Sequence, residues 1–186
     1  MSESALADLL AAKSGIRLDI GCGRGKQKDF VGMDVRGVDG VDIVHDLETF
    51  PWPIPDDSCL VVLASHILEH IKPWKFMDPA GRPCVMGEVW RVLKLDGQLL
   101  VSVPYGVGPG YVQDPTHCNP ISERTLQYFD PRFPLYSVYE TPFMFTIEHV
   151  AYDIDQFLQA ILCKRTTPNG TQTGDGDGPE LKMVKP

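Results

Sequence analysis

The run Ile16-Arg-Leu-Asp-Ile-Gly-Cys-Gly-Arg-Gly25 is followed only nine residues later by Asp34, near the end of the apolar run Phe30-Val-Gly-Met-Asp-Val35. A hydrophobic strand, a glycine turn, a second hydrophobic strand and then a carboxylate is the order in which an α/β sheet binds the ribose of a nucleoside. The interval is the constraint. A dinucleotide site places its acidic residue about 20 positions on, because a full helix intervenes and its N-terminus holds the pyrophosphate. Here Lys26 to Asp29 leave room for barely one helical turn, so little is available to hold a pyrophosphate. Main-chain groups and a carboxylate still suit a cationic, phosphate-free nucleoside such as S-adenosylmethionine.

Further short runs rich in Val, Ile and Leu predict buried parallel strands at residues 16–20, 30–35, 41–44, 60–64 and 98–103. Ala5, Leu9, Leu10 and Ala12 at helical spacing predict a helix over residues 2–13, and further helices are expected at 66–71 and 84–95, with Asp96-Gly97 as the turn before the fifth strand. Beyond that, Ser122 caps a predicted helix through residue 129. A strand is expected at 143–150 and a closing helix at 153–163. Strands alternating with helices imply right-handed crossovers. The expected fold is therefore Rossmann-like α/β: a doubly wound, mostly parallel sheet in three α/β/α layers, with a shortened first crossover helix. Residues 72–83 and 105–120 are long Pro/Gly-rich connections of the kind that carry function. The glycine-rich stretch 166–186 has almost no apolar content and is predicted to be a disordered tail, leaving one domain over residues 1–165.

A chain of 186 residues with 43% hydrophobic and 23% charged content can bury one core. Its formal net charge of −8, from 17 basic against 25 acidic residues, opposes binding of nucleic acid. No apolar run reaches the ~20 residues that span a bilayer, and acidic Glu3 and Asp8 stand where a signal peptide is basic, so a cytoplasmic location without membrane attachment is expected. The five cysteines are widely spaced and contain no C-x-x-C pair, which argues against a disulfide framework and a zinc cluster alike. Oligomeric state is left open.

Asp19, Gly21, Gly23 and Gly25 form D-x-G-x-G-x-G directly after the first strand. Such a turn alone needs only positive φ; what raises it to a candidate cofactor site is that successive strands end in Asp34 and Asp46, on the carboxyl edge where open α/β sheets bind ligands. Asp34, with Val35 beside it, is placed to accept the ribose hydroxyls, and Asp46 with Leu47 to face the adenine edge. The simpler role for Asp46 is a turn or helix cap. The segments LDIGCGRG, VGMDV, DIVHDLETFPWPIPDDSCLVVLASHILEHI and GEVWRVLKLDGQLLVSVP resemble the class I S-adenosylmethionine-dependent methyltransferases, in particular their small type-11-like branch, over residues 16–104. The resemblance implies that Gly21, Cys22 and Gly23 wrap the methionine moiety, that Asp34 binds ribose and Asp46 adenine, and that Ser65 and His66 lie beside the sulfonium. It also implies transfer of a methyl group to an acceptor, expected to be a small molecule, with release of S-adenosylhomocysteine. The truncated first crossover departs from the family pattern, and the alternative is a non-catalytic S-adenosylmethionine-binding module or partner subunit.

His66-Ile-Leu-Glu-His70 also spells H-x-x-E-H, the inverted zinc-peptidase signature. No third ligand follows at a useful distance in the sequence, so no metal is expected, and Glu69 and His70 are assigned structural roles. An acceptor that must lose a proton needs a base, and a histidine titrating near pH 6.5 suits it. His117, in the long loop after the fifth strand, is the first candidate and His66 the second. Tyr105 is a candidate donor to the acceptor, Asp114 as readily a turn former, and Trp74 and Phe76 candidate walls of an acceptor cleft. A purely structural His117, bonded to a main-chain carbonyl, is the competing role.

Overall fold

The computed structural model describes residues 15–166 and 182–183; the helix expected at 2–13 and nearly all of the tail lie outside them. Strands β1 (Ile16–Ile20), β2 (Val31–Asp34), β3 (Ile43–Val44), β4 (Cys59–Ser65), β5 (Leu93–Pro104), β6 (Met144–Asp153), β7 (Phe157–Arg165) and β8 (Lys182–Met183) form one sheet in the order β3-β2-β1-β4-β5-β7-β6-β8. The first five run parallel, in the order of one doubly wound half. β7 is inserted antiparallel between β5 and β6, and the two-residue β8, inside the expected tail, runs parallel to β6. Among the described residues few helices accompany the sheet: α1 (Pro73–Phe76), α2 (Val85–Val92), α3 (Pro109–Val112) and α4 (Glu123–Gln127), with 3-10 turns at Leu68–His70 and Pro134–Val138. Among the described residues no helix is long and apolar enough to cross a membrane.

The apolar runs became strands because both faces of the inner sheet are covered: Leu18, Ile20, Met33, Val62, Ala64, Leu99 and Val103 are buried and join one core with Val85, Val89 and Val92 of α2. α4 begins where expected. Ser122 and Thr125 form a reciprocal capping box that satisfies the free N–H groups of its first turn.

Beyond the first crossover, three expected helices fail. Residues 153–163 are not a helix: Asp153 accepts the Asp155 and Gln156 N–H groups in a tight turn, and the chain returns as β7. Leu158, Ala160, Leu162 and Lys164 alternate with less buried neighbours, a period of two that the slot between β5 and β6 selects over the helical propensity of Leu, Gln and Ala. The helix expected at 84–95 stops at Val92, since Leu93 already pairs with Cys59; Asp96-Gly97 is a kink inside β5 with Asp96 at φ +62°, where the register shifts, rather than a turn before it. The helix expected at 66–71 shrinks to a single 3-10 turn, because His66 sits in the left-handed region with φ +53° and interrupts helical geometry.

The β1–β2 crossover contains no helix at all: residues 21–30 are turns. Two buried carboxylates hold this loop. Asp19 Oδ2 accepts the Gln27 N–H at 2.9 Å, and Asp42 Oδ2 accepts both the Lys26 ammonium at 2.7 Å and the Gly32 N–H at 2.8 Å. Gly32 is small for a reason, since a Cβ there would stand 2.6 Å from Cys22 Sγ and 2.7 Å from Lys26 Cδ.

Candidate functional site

Parallel pairing brings the ends of β1, β2, β3 and β4 to one edge: Ile20 lies opposite Met33 and Ala64, and Asp34 opposite Val44. The residues that follow these strands are therefore neighbours. Gly21 (φ +67°) and Gly23 (φ +51°) adopt the left-handed conformation that their turn requires, whereas Gly25 does not. A Cβ on Gly21 would meet the side chain of Ile67 at 2.3 Å, so the glycine turn and the segment after β4 are packed against each other.

Asp34 is 5% exposed and ties this edge together. Its Oδ2 accepts the Gly23 N–H at 2.8 Å, and its Oδ1 accepts the Arg36 N–H at 2.8 Å with Arg36 Nε at 3.4 Å. Burial alone would raise its pKa, but these donors and the guanidinium together hold it below the usual carboxylate range. A carboxylate has about four lone-pair sites; the Arg36 side chain is mostly exposed and free to leave, so capacity remains for a diol. Asp19 behaves oppositely, its pKa raised by burial despite the Gln27 N–H. Burial, the larger cause, and the neighbouring carboxylates Asp19 and Asp34 push the Cys22 thiol up to about 11.

Other predicted site residues are placed less decisively. Val35 is exposed on the same edge, as is Ser65 at the end of β4. Asp46 is exposed and its Oδ1 accepts the Glu48 N–H at 2.9 Å, a turn-forming duty. Leu47 is buried beneath it, its carbonyl accepting Trp52 Nε1 at 3.1 Å. Tyr105 spends its hydroxyl on Glu123 Oε2 at 2.7 Å, and burial together with that bond pushes its pKa up to about 12. Trp74 and Phe76 do line a cleft, of about 230 Å³, together with Asn119, Tyr128 and Tyr139.

The fold brings the histidines together, with His117 bonded to a main-chain carbonyl as in its competing, structural role. The loop after β5 folds back onto the 3-10 turn after β4: the Cys118 and Asn119 N–H groups both donate to Glu69 O, at 2.9 and 3.1 Å, and Asn119 Nδ2 donates to Leu68 O at 3.0 Å. His117 is thereby stacked edge-on against His70, with ring centroids 4.7 Å apart. Its Nδ1 donates to Tyr111 O at 2.8 Å and its Nε2 lies 3.7 Å from Asp114 Oδ2. The exposed His66 places Nδ1 at 3.5 Å from Glu69 Oε1. Four residues from two elements thus meet in a cluster that letters read along the chain do not disclose. Glu69 is almost wholly buried there, and burial raises its pKa while the three histidines draw it back down.

No protein-family model and no curated protein matches the chain by sequence. Solved structures do. A SAM-dependent methyltransferase from Archaeoglobus fulgidus superposes with a TM-score of 0.58 at 18% identity, over 87% of this chain and 92% of that one. The fold is that of the S-adenosylmethionine-dependent methyltransferases. A methyltransferase of this kind from Mesorhizobium loti gives a TM-score of 0.51 at 17% identity, covering 87% of this chain and 96% of its own. The 1,6-didemethyltoxoflavin-N1-methyltransferase of Burkholderia thailandensis, solved with 1,6-didemethyltoxoflavin and S-adenosylhomocysteine bound, gives 0.51 at 17% identity over 87% and 77% of the two chains. Within this methyltransferase fold the glycine turn and Asp34 occupy the edge where doubly wound sheets take their ligands.

Proposed function

We propose that the chain, over residues 1–165, is an S-adenosylmethionine-dependent methyltransferase acting on a small-molecule acceptor. The observation that carries this is the buried Asp34 carboxylate bonded to the Gly23 N–H, which joins a candidate ribose acceptor and a glycine turn into one unit. A pyrophosphate has no helix N-terminus to receive it there, because the first crossover is helix-free.

In this proposal Asp34 accepts the ribose hydroxyls, the backbone of Gly21, Cys22 and Gly23 borders the methionine moiety, Gly25 shapes the turn, and Asp19 fixes the loop through Gln27. Val35, Asp46 and Leu47 border the adenine. Ser65 and His66, at the end of β4, flank the reacting end. When bound, S-adenosylmethionine supplies an electrophilic methyl group. The protein's own contribution is to orient the acceptor for in-line approach and to exclude water. The cleft bounded by Trp74 and Phe76 offers aromatic surface for a small acceptor. Of the two candidate bases, His66 is exposed and can pass a proton to solvent, whereas both nitrogens of His117 face protein groups. The free cysteines (Cys22, Cys59, Cys84, Cys118 and Cys163) fit a reducing, cytoplasmic compartment, and the net charge of −8 speaks against nucleic acid.

Calorimetry with S-adenosylmethionine and S-adenosylhomocysteine, followed by mass spectrometry of reactions with a panel of small hydroxyl and amine acceptors, tests the assignment. Binding followed by a 14-dalton gain on an acceptor supports it. Binding without transfer across the panel favours the cofactor-holding module instead, and absence of binding removes both.

A further inference from the structure

Outside the glycine edge, the strongest chemistry in the molecule is the contact between the 3-10 turn after β4 and the loop after β5. One ligand atom from each of Glu69, His70 and His117 lies within 4.8 Å of the others. Both carboxylate oxygens of Glu69 are buried and have no hydrogen-bond partner. An isolated buried carboxylate is expensive, and structures retain one where a cation or a donor set compensates it.

In the neutral rings that a metal ion requires, the hydrogen bonds around the two imidazoles set the tautomers. Tyr111 O can only accept, so His117 Nδ1 carries the proton and Nε2 keeps its lone pair. Asp114 Oδ1 accepts the Thr116 hydroxyl proton at 2.7 Å, so Thr116 Oγ1 must accept from His70 Nδ1 at 3.1 Å. His70 Nε2 therefore also keeps its lone pair. Imidazoles whose outer nitrogen donates to a carbonyl, or to a hydroxyl backed by a carboxylate, are oriented as metal-binding histidines are. We propose that Glu69, His70 and His117 form a binding site for a divalent transition-metal ion.

Two neutral imidazoles and one carboxylate suit borderline cations such as Zn²⁺, Co²⁺ or Mn²⁺ better than Ca²⁺ or Mg²⁺, which prefer all-oxygen shells. Bonds of about 2.1 Å in a tetrahedral site set ligand atoms about 3.4 Å apart, and the three atoms, all within 4.8 Å of one another, need only close to that spacing. Three protein ligands leave a coordination position open. Ile67, one residue past His66 and two before Glu69, packs on Gly21, so the turn that carries Glu69 and His70 adjoins the glycine turn. On the methyltransferase assignment, on which this last point alone rests, the open position takes an oxygen of the acceptor. The metal site itself stands without it. Its third member went unseen in the sequence because His117 is delivered by a separate loop, held by the paired N–H groups of Cys118 and Asn119 on Glu69 O.

The test uses the full, tag-free chain, dialysed against Zn²⁺ and read by elemental analysis, and titrated with Co²⁺ while following its visible absorption. The site predicts about one equivalent bound, and a tenfold or greater loss of affinity in Glu69→Gln and His117→Ala. Thr116→Val, which leaves all three ligands in place but removes the partner of His70 Nδ1, should also lose roughly tenfold. Circular dichroism and S-adenosylhomocysteine calorimetry on the same variants report folding and the cofactor edge separately. Failure to retain metal, or equal affinity in wild type and all three variants, overturns the proposal. Metal without S-adenosylhomocysteine binding leaves the site standing and removes the methyltransferase assignment; the reverse result does the opposite.

Discussion

Replacing Asp34 by Asn separates the two duties of that side chain. The amide keeps the shape and one acceptor oxygen but turns an NH₂ group toward either the Gly23 or the Arg36 N–H, both now 2.8 Å from a carboxylate oxygen. One buried N–H loses its acceptor, which costs about 1–3 kcal/mol. At about 2–4 °C per kcal/mol for a domain of this size, thermal unfolding moves down by roughly 2–12 °C. On the proposed ribose role, the cofactor's hydroxyls lose a charged acceptor at the same time. A hydrogen bond to a charged group contributes about 1.5–3 kcal/mol, so S-adenosylhomocysteine should bind roughly 10- to 150-fold more weakly. Isothermal calorimetry reads the second effect and calorimetric unfolding the first. The sign of the pH dependence is fixed by the depressed pKa of Asp34. Its stabilisation is fully present above the unfolded value of about 3.9 and fades as pH falls through the lower folded value, so wild type and Asp34→Asn should converge in stability only in strong acid. An unchanged affinity for S-adenosylhomocysteine in a folded Asp34→Asn protein would refute the ribose role.

Gly21→Ala should destabilise by about 2–5 kcal/mol, combining a left-handed backbone penalty with overpacking against Ile67, and adding Ile67→Ala should restore only the packing part in urea unfolding. Asp42→Ala releases Lys26 and the Gly32 N–H together; amide hydrogen exchange over residues 21–30 should accelerate while the β6–β7 amides stay protected. Asp130, fully buried, accepts the Ile147 N–H at 2.8 Å and pairs with the partly exposed Arg132, so Asp130→Ala should cost about 2–3 kcal/mol in chemical denaturation.

How far the sequence reaches depends on whether partners are local. Gly21, Gly23 and Asp34 were legible because strand, turn and carboxylate follow one another within a short stretch, and pairing of β1 with β2 then fixes their geometry. The valine-rich runs announced the parallel strands for the same reason. β7 did not announce itself: Leu158, Ala160 and Leu162 fit a helix as well as a strand, and only the open edges of β5 and β6 decide between them. Lys164 reinforces that choice from inside, its ammonium donating to Leu93 O at 2.7 Å and lying 4.3 Å from the centre of the Trp90 ring. Asp42 was not anticipated as the clamp of the glycine loop, since it follows β2 and acts backward across it. Likewise, the grouping of His70 with His117 depends on the fold-back of the loop after β5, for which no periodicity exists to give notice.

The helix-free connection between β1 and β2 also bears on the order of assembly. In an ordinary βαβ unit the crossover helix forms early and carries the second strand to its place beside the first. Here that guide is missing, and the connection is held instead by Asp19 from β1 and by Asp42, which follows β2. The glycine turn thus depends on contacts that close across the sheet edge, and on the proposed function a bound nucleoside bridging β1 and β2 would add to them and raise stability in proportion to its concentration.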